Sequence, residues 1–191
     1  ARLTIQLSSR AICAAHRGEM DEARNLAQQA GEEILPAAKS TRERREFFDS
    51  GLLHDAEKEY VEATLTIAAL NSEPIPTPDD LGVGPAPYMN GMAEAASELR
   101  RSILDQLRAG ELETTERLLG FMDMVYAALI TLDYPDAVTR GLRRTTDQFR
   151  AVLERTRSDL TVAARQLALE ERLRQVADGL TERQPLWLPG S

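Results

Sequence analysis

The stretch HDAEKEYVEATLTIAAL, residues 54–70, constrains this chain most, because it sets a pair of carboxylates into an otherwise apolar helix pattern. Leu53, Ala56, Tyr60, Ala63, Ile67 and Leu70 recur at three- and four-residue steps, one face of a helix turned toward a core. Glu59 and Glu62 fall together to one side of that stripe, one turn apart. Val61, Leu65, Ala68 and Ala69 make the other faces apolar too, so Glu62 is expected to be largely buried. A buried carboxylate is costly unless it is paired, hydrogen-bonded or bound to a metal.

The best partner for this pair is YMNGMAEAASELRRSILD, residues 88–105. Tyr88, Met92, Ala95, Leu99 and Ile103 form the core stripe of a second helix, with Glu94 and Glu98 one turn apart beside it. Packed together, the two helices can collect four carboxylates. Like charges at close range cannot all stay ionised. A hard divalent cation resolves the conflict, and oxygen ligands suit Mg²⁺ or Mn²⁺.

At 191 residues, with 42% hydrophobic and 28% charged content, the chain reads as one soluble globular domain. No apolar run approaches the roughly 20 residues needed to span a bilayer, so no membrane partner is expected. The chain starts at Ala1 without a signal peptide, and its N-terminus is expected to be trimmed. A single cysteine, Cys13, excludes an internal disulfide and fits a reducing, cytoplasmic setting. Two histidines and that cysteine are too few for a Cys/His zinc site. The net charge of −8 argues against simple electrostatic capture of nucleic acid. It is uneven, however: residues 140–174 hold nine Arg against five acids, a net +4, which leaves −12 elsewhere. Only Lys39 and Lys58 among the 23 basic residues are lysines.

The periodicity predicts helices throughout and no strand or internal repeat. The first helix covers 2–17, with Leu3, Leu7, Ile12 and Ala15 on one face. The second runs from the acidic turn 19–22 to Leu35, where Pro36 is expected to stop it. TRERRE, 41–46, is placed on a third helix leading into the central one, with Gly51 marking a kink or break. The segment 71–87, with five prolines and two glycines, is the clear loop and a candidate for the mouth of a site. Helices follow over 88–108 and 111–132, the latter with Met122 and Met124 as packing residues. Pro135 opens a last helix over 136–177, long enough to reach a partner subunit. These elements make a helical domain over 1–178 and an irregular tail, 179–191, whose Trp187 could dock on a neighbour.

The segments HRGEM (16–20), EKEYVEA (57–63), LGVGPAPYMNGMAEAASELRRSILDQLRAGE (81–111), DYPDAVTRGLRR (133–144) and LERTRSDLT (153–161) together resemble the translin family. They cover most of the chain in the expected order, and the likeness is to archaeal-type members and to translin-associated factor X (Trax). The resemblance implies an all-α, translin-like bundle of about seven helices with a long C-terminal helix. It further implies a closed homo-oligomer, commonly an octamer, that binds single-stranded RNA and, by extension, single-stranded DNA. Trax-like members are metal-dependent endoribonucleases, and their catalytic, metal-binding carboxylates carry over onto Glu59, Glu62, Glu94 and Glu98. Glu94 stands where Trax has aspartate, a longer arm that puts its role in question. Translin's basic patch before the central helix is missing from DSGLLHDAE, 49–57, where His54 is the one remnant. RNA contacts, if present, are therefore looked for at Arg42, Arg44, Arg45, Arg140, Arg143 and Arg144, each of which reads first as a solvated charge or a subunit ion pair. His16, beside Glu19, reads as structural.

Three other readings compete with a Mg²⁺- or Mn²⁺-dependent endoribonuclease. A catalytically silent RNA-binding oligomer has no need to concentrate four acids near RNA. An all-α nucleoside triphosphate pyrophosphohydrolase also pairs Glu-x-x-Glu with a second acidic helix, but DYPDA and GLRR favour the translin likeness. A di-iron bundle needs Glu-x-x-His, and the positions before His16 and His54 hold Cys13 and Gly51.

Overall fold

A computed structural model describes residues 1–43 and 51–181. Those residues form eight helices and no strand: α1 (Arg2–His16), α2 (Met20–Glu43), α3 (Gly51–Leu70), α4 (Pro78–Leu81), α5 (Pro85–Ala109), α6 (Leu112–Ile130), α7 (Asp136–Thr139) and α8 (Leu142–Thr181). The all-α class is the expected one. Six of the helices are long, and α4 and α7 are single turns.

The two carboxylate helices, α3 and α5, form the middle of the bundle. Against one side of α3 pack α1 and α2, through Leu7, Ala11, Ala23 and Leu26 onto Ala63 and Ile67. Against α5 pack α6 and α8, through Leu118, Met122, Phe149 and Leu153 onto Leu99 and Ile103. The α3–α5 contact is unusually close. A Cβ on Gly91 would lie 2.6 Å from the Lys58 carbonyl oxygen and 2.8 Å from the Val61 side chain. Only glycine lets the two backbones meet there.

Several boundaries differ from the sequence reading. Pro36 lies inside α2. Ile34 and Ala38, on either side of it, are fully buried, so packing on both flanks outweighs the roughly 3 kcal/mol that an interior proline costs. Thr41–Glu43 close α2 rather than opening a new helix, and residues 44–50 lie outside the described residues. Leu3 is 48% exposed, and the buried face of α1 uses Thr4 and Ser8 instead. Met122 is fully buried but Met124 is 57% exposed.

The loop 71–87 contains α4, whose capping box is complete: the Thr77 hydroxyl accepts from the Asp80 amide, and the Asp80 carboxylate accepts from the Thr77 amide. Leu81 and Val83 fold back onto Val61, Leu65 and Ala95. Pro85 starts α5 three residues before Tyr88, the first-turn position a proline tolerates. The last helix does not begin at Asp136. Arg140 (φ +52°) and Gly141 (φ +85°) are left-handed and separate the turn α7 from α8. Buried Asn90 pins this junction to α5 by donating to the Thr139 carbonyl at 2.8 Å and accepting from the Thr145 hydroxyl at 3.0 Å. Helix α8 continues to Thr181, and Trp187 lies outside the described residues.

Candidate functional site

Helix periodicity puts Glu59 and Glu62 on one flank of α3, and Glu94 and Glu98 on one flank of α5. The contact at Gly91, one turn before Glu94, presses these flanks together. One carboxylate oxygen from each of Glu59, Glu62 and Glu94 lies within 4.8 Å of the other two. Glu98 stands a turn further along α5, near enough for its charge to act on Glu62.

Electrostatics follows from that crowding. Burial, then the charges of Glu59, Glu94 and Glu98, push the Glu62 carboxyl up to about 8. Burial also raises Glu59, against the pull of Lys58 and with a push from Glu94. The cation that offsets this is Lys58, whose Nζ is 2.6 Å from Glu94 Oε2 and 3.5 Å from Glu59 Oε1. Burial pulls the ammonium down. Its bond to Glu94 and the charges of Glu94, Glu59 and Glu62 more than reverse that, and hold it above its ordinary range. The sequence reading saw that Glu62 needs compensation; the nearest cation proves to sit on Glu94, with Glu62 left to carry the repulsion.

Glu98 has a different partner. His16, at the end of α1 and with its side chain only 2% exposed, places Nε2 2.7 Å from Glu98 Oε1. A carboxylate accepts, so Nε2 carries the hydrogen, and in the neutral ring Nδ1 accepts from the Ser102 hydroxyl at 2.9 Å. His16 is thus engaged with α5, while Glu19 pairs with Arg17. The signal for it is faint: a histidine behind two alanines at a helix end.

Three hard oxygen donors at this spacing fit Mg²⁺ or Mn²⁺. The raised Glu62 is the mark of a negative site that a divalent cation would relieve. Glu59, Glu62 and Glu94 are the residues that would hold the ion, with Glu98 adding charge beside them.

Beyond the cluster, His54 lies half-buried on α3 and is pushed down by burial first and by the Arg140 charge next. The Arg140 charge is therefore felt at the N-terminal end of the carboxylate helix. Arg143 and Arg144 are exposed and line a shallow depression with Asp136 and Asp147. Arg42 falls in the last turn of α2, and Arg44 and Arg45 lie outside the described residues.

No protein-family model matches the chain. An uncharacterized protein of Methanocaldococcus jannaschii is 32% identical over 133 residues, 69% of this chain, and the match spans 60% of that relative's length. Among solved structures, AfC3PO in complex with duplex RNA superposes with a TM-score of 0.77 at 36% identity, covering 85% of this chain and 84% of that one. A second AfC3PO structure gives 0.75 at 34% identity over 85% of both chains. These neighbours are C3PO proteins of translin/Trax type. The chain belongs to the translin family. The apo form of NeC3PO, at 20% identity, TM-score 0.72 and coverage of 84% of this chain and 83% of that one, shares the fold.

Membership of the translin family sets aside the pyrophosphohydrolase reading. Within that family's frame, the sequence reading missed three residues that shape the site. Lys58 has no distinguishing signal in the sequence beyond being one of two lysines. Gly91 is a lone glycine inside a helical pattern, which costs helix stability unless packing calls for it. Glu57 is buried at 6% exposure and accepts a long bond from the Gly84 amide at 3.4 Å, joining α3 to the start of α5. No helix among the described residues is long and apolar enough to cross a membrane.

Proposed function

We propose that this translin-family chain binds RNA and hydrolyses its phosphodiester backbone at the α3–α5 carboxylate cluster, as a homo-oligomer, with Mg²⁺ or Mn²⁺ as cofactor. The observation that carries the reading is the convergence of Glu59, Glu62 and Glu94 within 4.8 Å, at a site so negative that Glu62 is pushed up to about 8. A surface used only for RNA binding gains nothing from burying acids.

When bound, the ion supplies Lewis-acid polarisation of the phosphate and eases ionisation of the attacking water. Glu59, Glu62 and Glu94 supply its oxygens. Glu98, fixed through His16, adds negative charge from a defined position. Arg140, Arg143 and Arg144, at the α7–α8 junction, hold phosphates of the strand, with Arg42, Arg44 and Arg45 as further contacts. The nucleic-acid partner is read as single-stranded RNA, with single-stranded DNA as a non-cleaved analogue, because a flexible strand reaches acids inside a closed oligomer most easily. An octameric barrel is the form proposed. The free, exposed Cys13 suits a reducing cytoplasm.

A second reading, a catalytically silent RNA-binding oligomer, is favoured by Lys58, which already neutralises part of the cluster. The duplex RNA bound to AfC3PO makes duplex a necessary comparison substrate. End-labelled single-stranded and duplex RNA of one sequence, incubated with Mn²⁺, with Mg²⁺ and with chelator, separates these readings. Metal-dependent cleavage that is faster on the single strand, and absent from Glu62→Gln, supports the nuclease. Binding without cleavage in either metal selects the silent oligomer.

A further inference from the structure

The most informative feature of the site besides its carboxylates is the cation seated among them. Lys58 Nζ reaches Glu94 Oε2 at 2.6 Å and Glu59 Oε1 at 3.5 Å, the carboxylates of two of the three proposed metal-holding residues. It is held there by construction. Its backbone carbonyl lies against Gly91, one turn from Glu94, so the α3–α5 contact that forms the cluster also delivers the lysine into it. Its side chain is only 19% exposed.

We propose that Lys58 is a resident counter-ion that competes with the divalent cation for Glu94 and Glu59, so that metal binding is an exchange of an ammonium for an ion. The inference rests on the metal reading above and adds to it a determinant of affinity. An ammonium and a divalent cation drawing on the same two carboxylates repel each other at this range, so each weakens the hold of the other. In the metal-free protein the lysine neutralises Glu94 and leaves the cluster tolerable to the fold. Metal entering the cluster displaces it from Glu94, which lowers metal affinity and frees the Lys58 amine. Salt weakens screened surface pairs far more than this half-buried one, so the competition persists at physiological ionic strength.

The test uses the full chain and Mn²⁺ alone, titrated and followed by electron paramagnetic resonance of the free ion. Parent, Lys58→Met and Lys58→Arg are compared, with circular dichroism as a check on folding. Lys58→Met should bind Mn²⁺ at least about tenfold more tightly, the effect expected of removing a unit charge a few ångströms away. Lys58→Arg, which keeps the charge, should stay near the parent. A second readout needs no variant. Because Lys39 is exposed and is the only other lysine, amine acetylation resolved by mass spectrometry reports on Lys58 with an internal reference. Mn²⁺ should raise Lys58 labelling several-fold and leave Lys39 unchanged.

Equal Mn²⁺ affinity in parent and Lys58→Met would overturn the competition while leaving the metal site standing. Binding by neither folded protein would remove the metal site and this inference with it. Binding by Lys58→Met alone would support the competition in its strongest form. Should Lys58→Met not fold, the labelling of the parent decides, and a Lys58 as protected with Mn²⁺ bound as without it rejects the exchange.

Discussion

His16 Nε2 lies 2.7 Å from Glu98 Oε1, a bond between residues 82 positions apart that ties the end of α1 to the carboxylate flank of α5. It fixes one oxygen of Glu98 at the edge of the carboxylate cluster. Replacing His16 with Ala strands two polar partners, Glu98 and Ser102, beside a cavity. The expected cost is about 2–4 kcal/mol, read as a lower melting temperature. His16→Gln, whose amide can still donate to Glu98, should recover part of the loss. An alanine variant as stable as the parent would show that the bond does not hold α1 in place.

Glu62 sets the pH dependence of stability without metal. Its carboxyl is pushed from an ordinary 4.5 to about 8, so between those values the folded chain binds more protons than the unfolded one. Stability contributed by the proton is present at low pH and is lost as pH rises through about 8. The total is on the order of 3–5 kcal/mol. Melting in chelator from pH 5 to 9 should show the decline in the parent, and a flatter curve for Glu62→Gln. Parallel curves would mean that Glu62 is not the group that holds the buried proton.

The glycine contact makes a third prediction. Gly91→Ala places a methyl group 2.6 Å from a backbone oxygen that cannot swing aside, so α3 and α5 must separate. The expected destabilisation is about 1–3 kcal/mol. Wider spacing of Glu94 from Glu59 and Glu62 should also weaken Mn²⁺ binding. Gly120→Ala, where a Cβ meets nothing within 4 Å, serves as the control. Matching behaviour of the two variants would remove the close approach as the organiser of the site.

Assembly is tested on α8. Val162, Leu169, Leu173 and Val176 are each between 57% and 63% exposed, an apolar row along the outer half of a 40-residue helix. Purified protein is expected to run near 170 kDa, about eight times the 21.2 kDa chain. Leu169→Glu with Leu173→Glu should lower that mass by light scattering while leaving helicity intact. Monomer in the parent at micromolar concentration would reject the oligomer, and an unchanged mass in the double variant would move the interface elsewhere.

RNA affinity should fall with salt if arginines carry it. Arg143 and Arg144 are exposed beside Asp136 and Asp147. Replacing both with Ala should reduce the slope of log affinity against log salt by roughly 0.7–0.9 for each phosphate that an arginine no longer neutralises. An unchanged slope would assign those arginines to solvent or to a subunit interface.

What the sequence by itself determined were the relations inside single helices. Glu59 and Glu62 share a flank of α3, and Glu94 and Glu98 share a flank of α5, because the helical period alone decides which residues are neighbours one turn apart. The apolar stripes of α3 and α5 were legible for the same reason. Only the tertiary structure decided what lies across from each flank. That Lys58 takes Glu94 rather than Glu62, that His16 crosses to Glu98, and that Gly91 sets the spacing all depend on interhelical distance and rotation. Those are fixed by the summed packing of residues far apart in the chain. The same cause overrode local signals where they failed. Burial of Ile34 and Ala38 carries α2 through Pro36, and the Asn90 clamp holds the left-handed break at Arg140 and Gly141 that divides α7 from α8. Periodicity is a property of a few consecutive residues, whereas a site made from two helices is a property of how they pack.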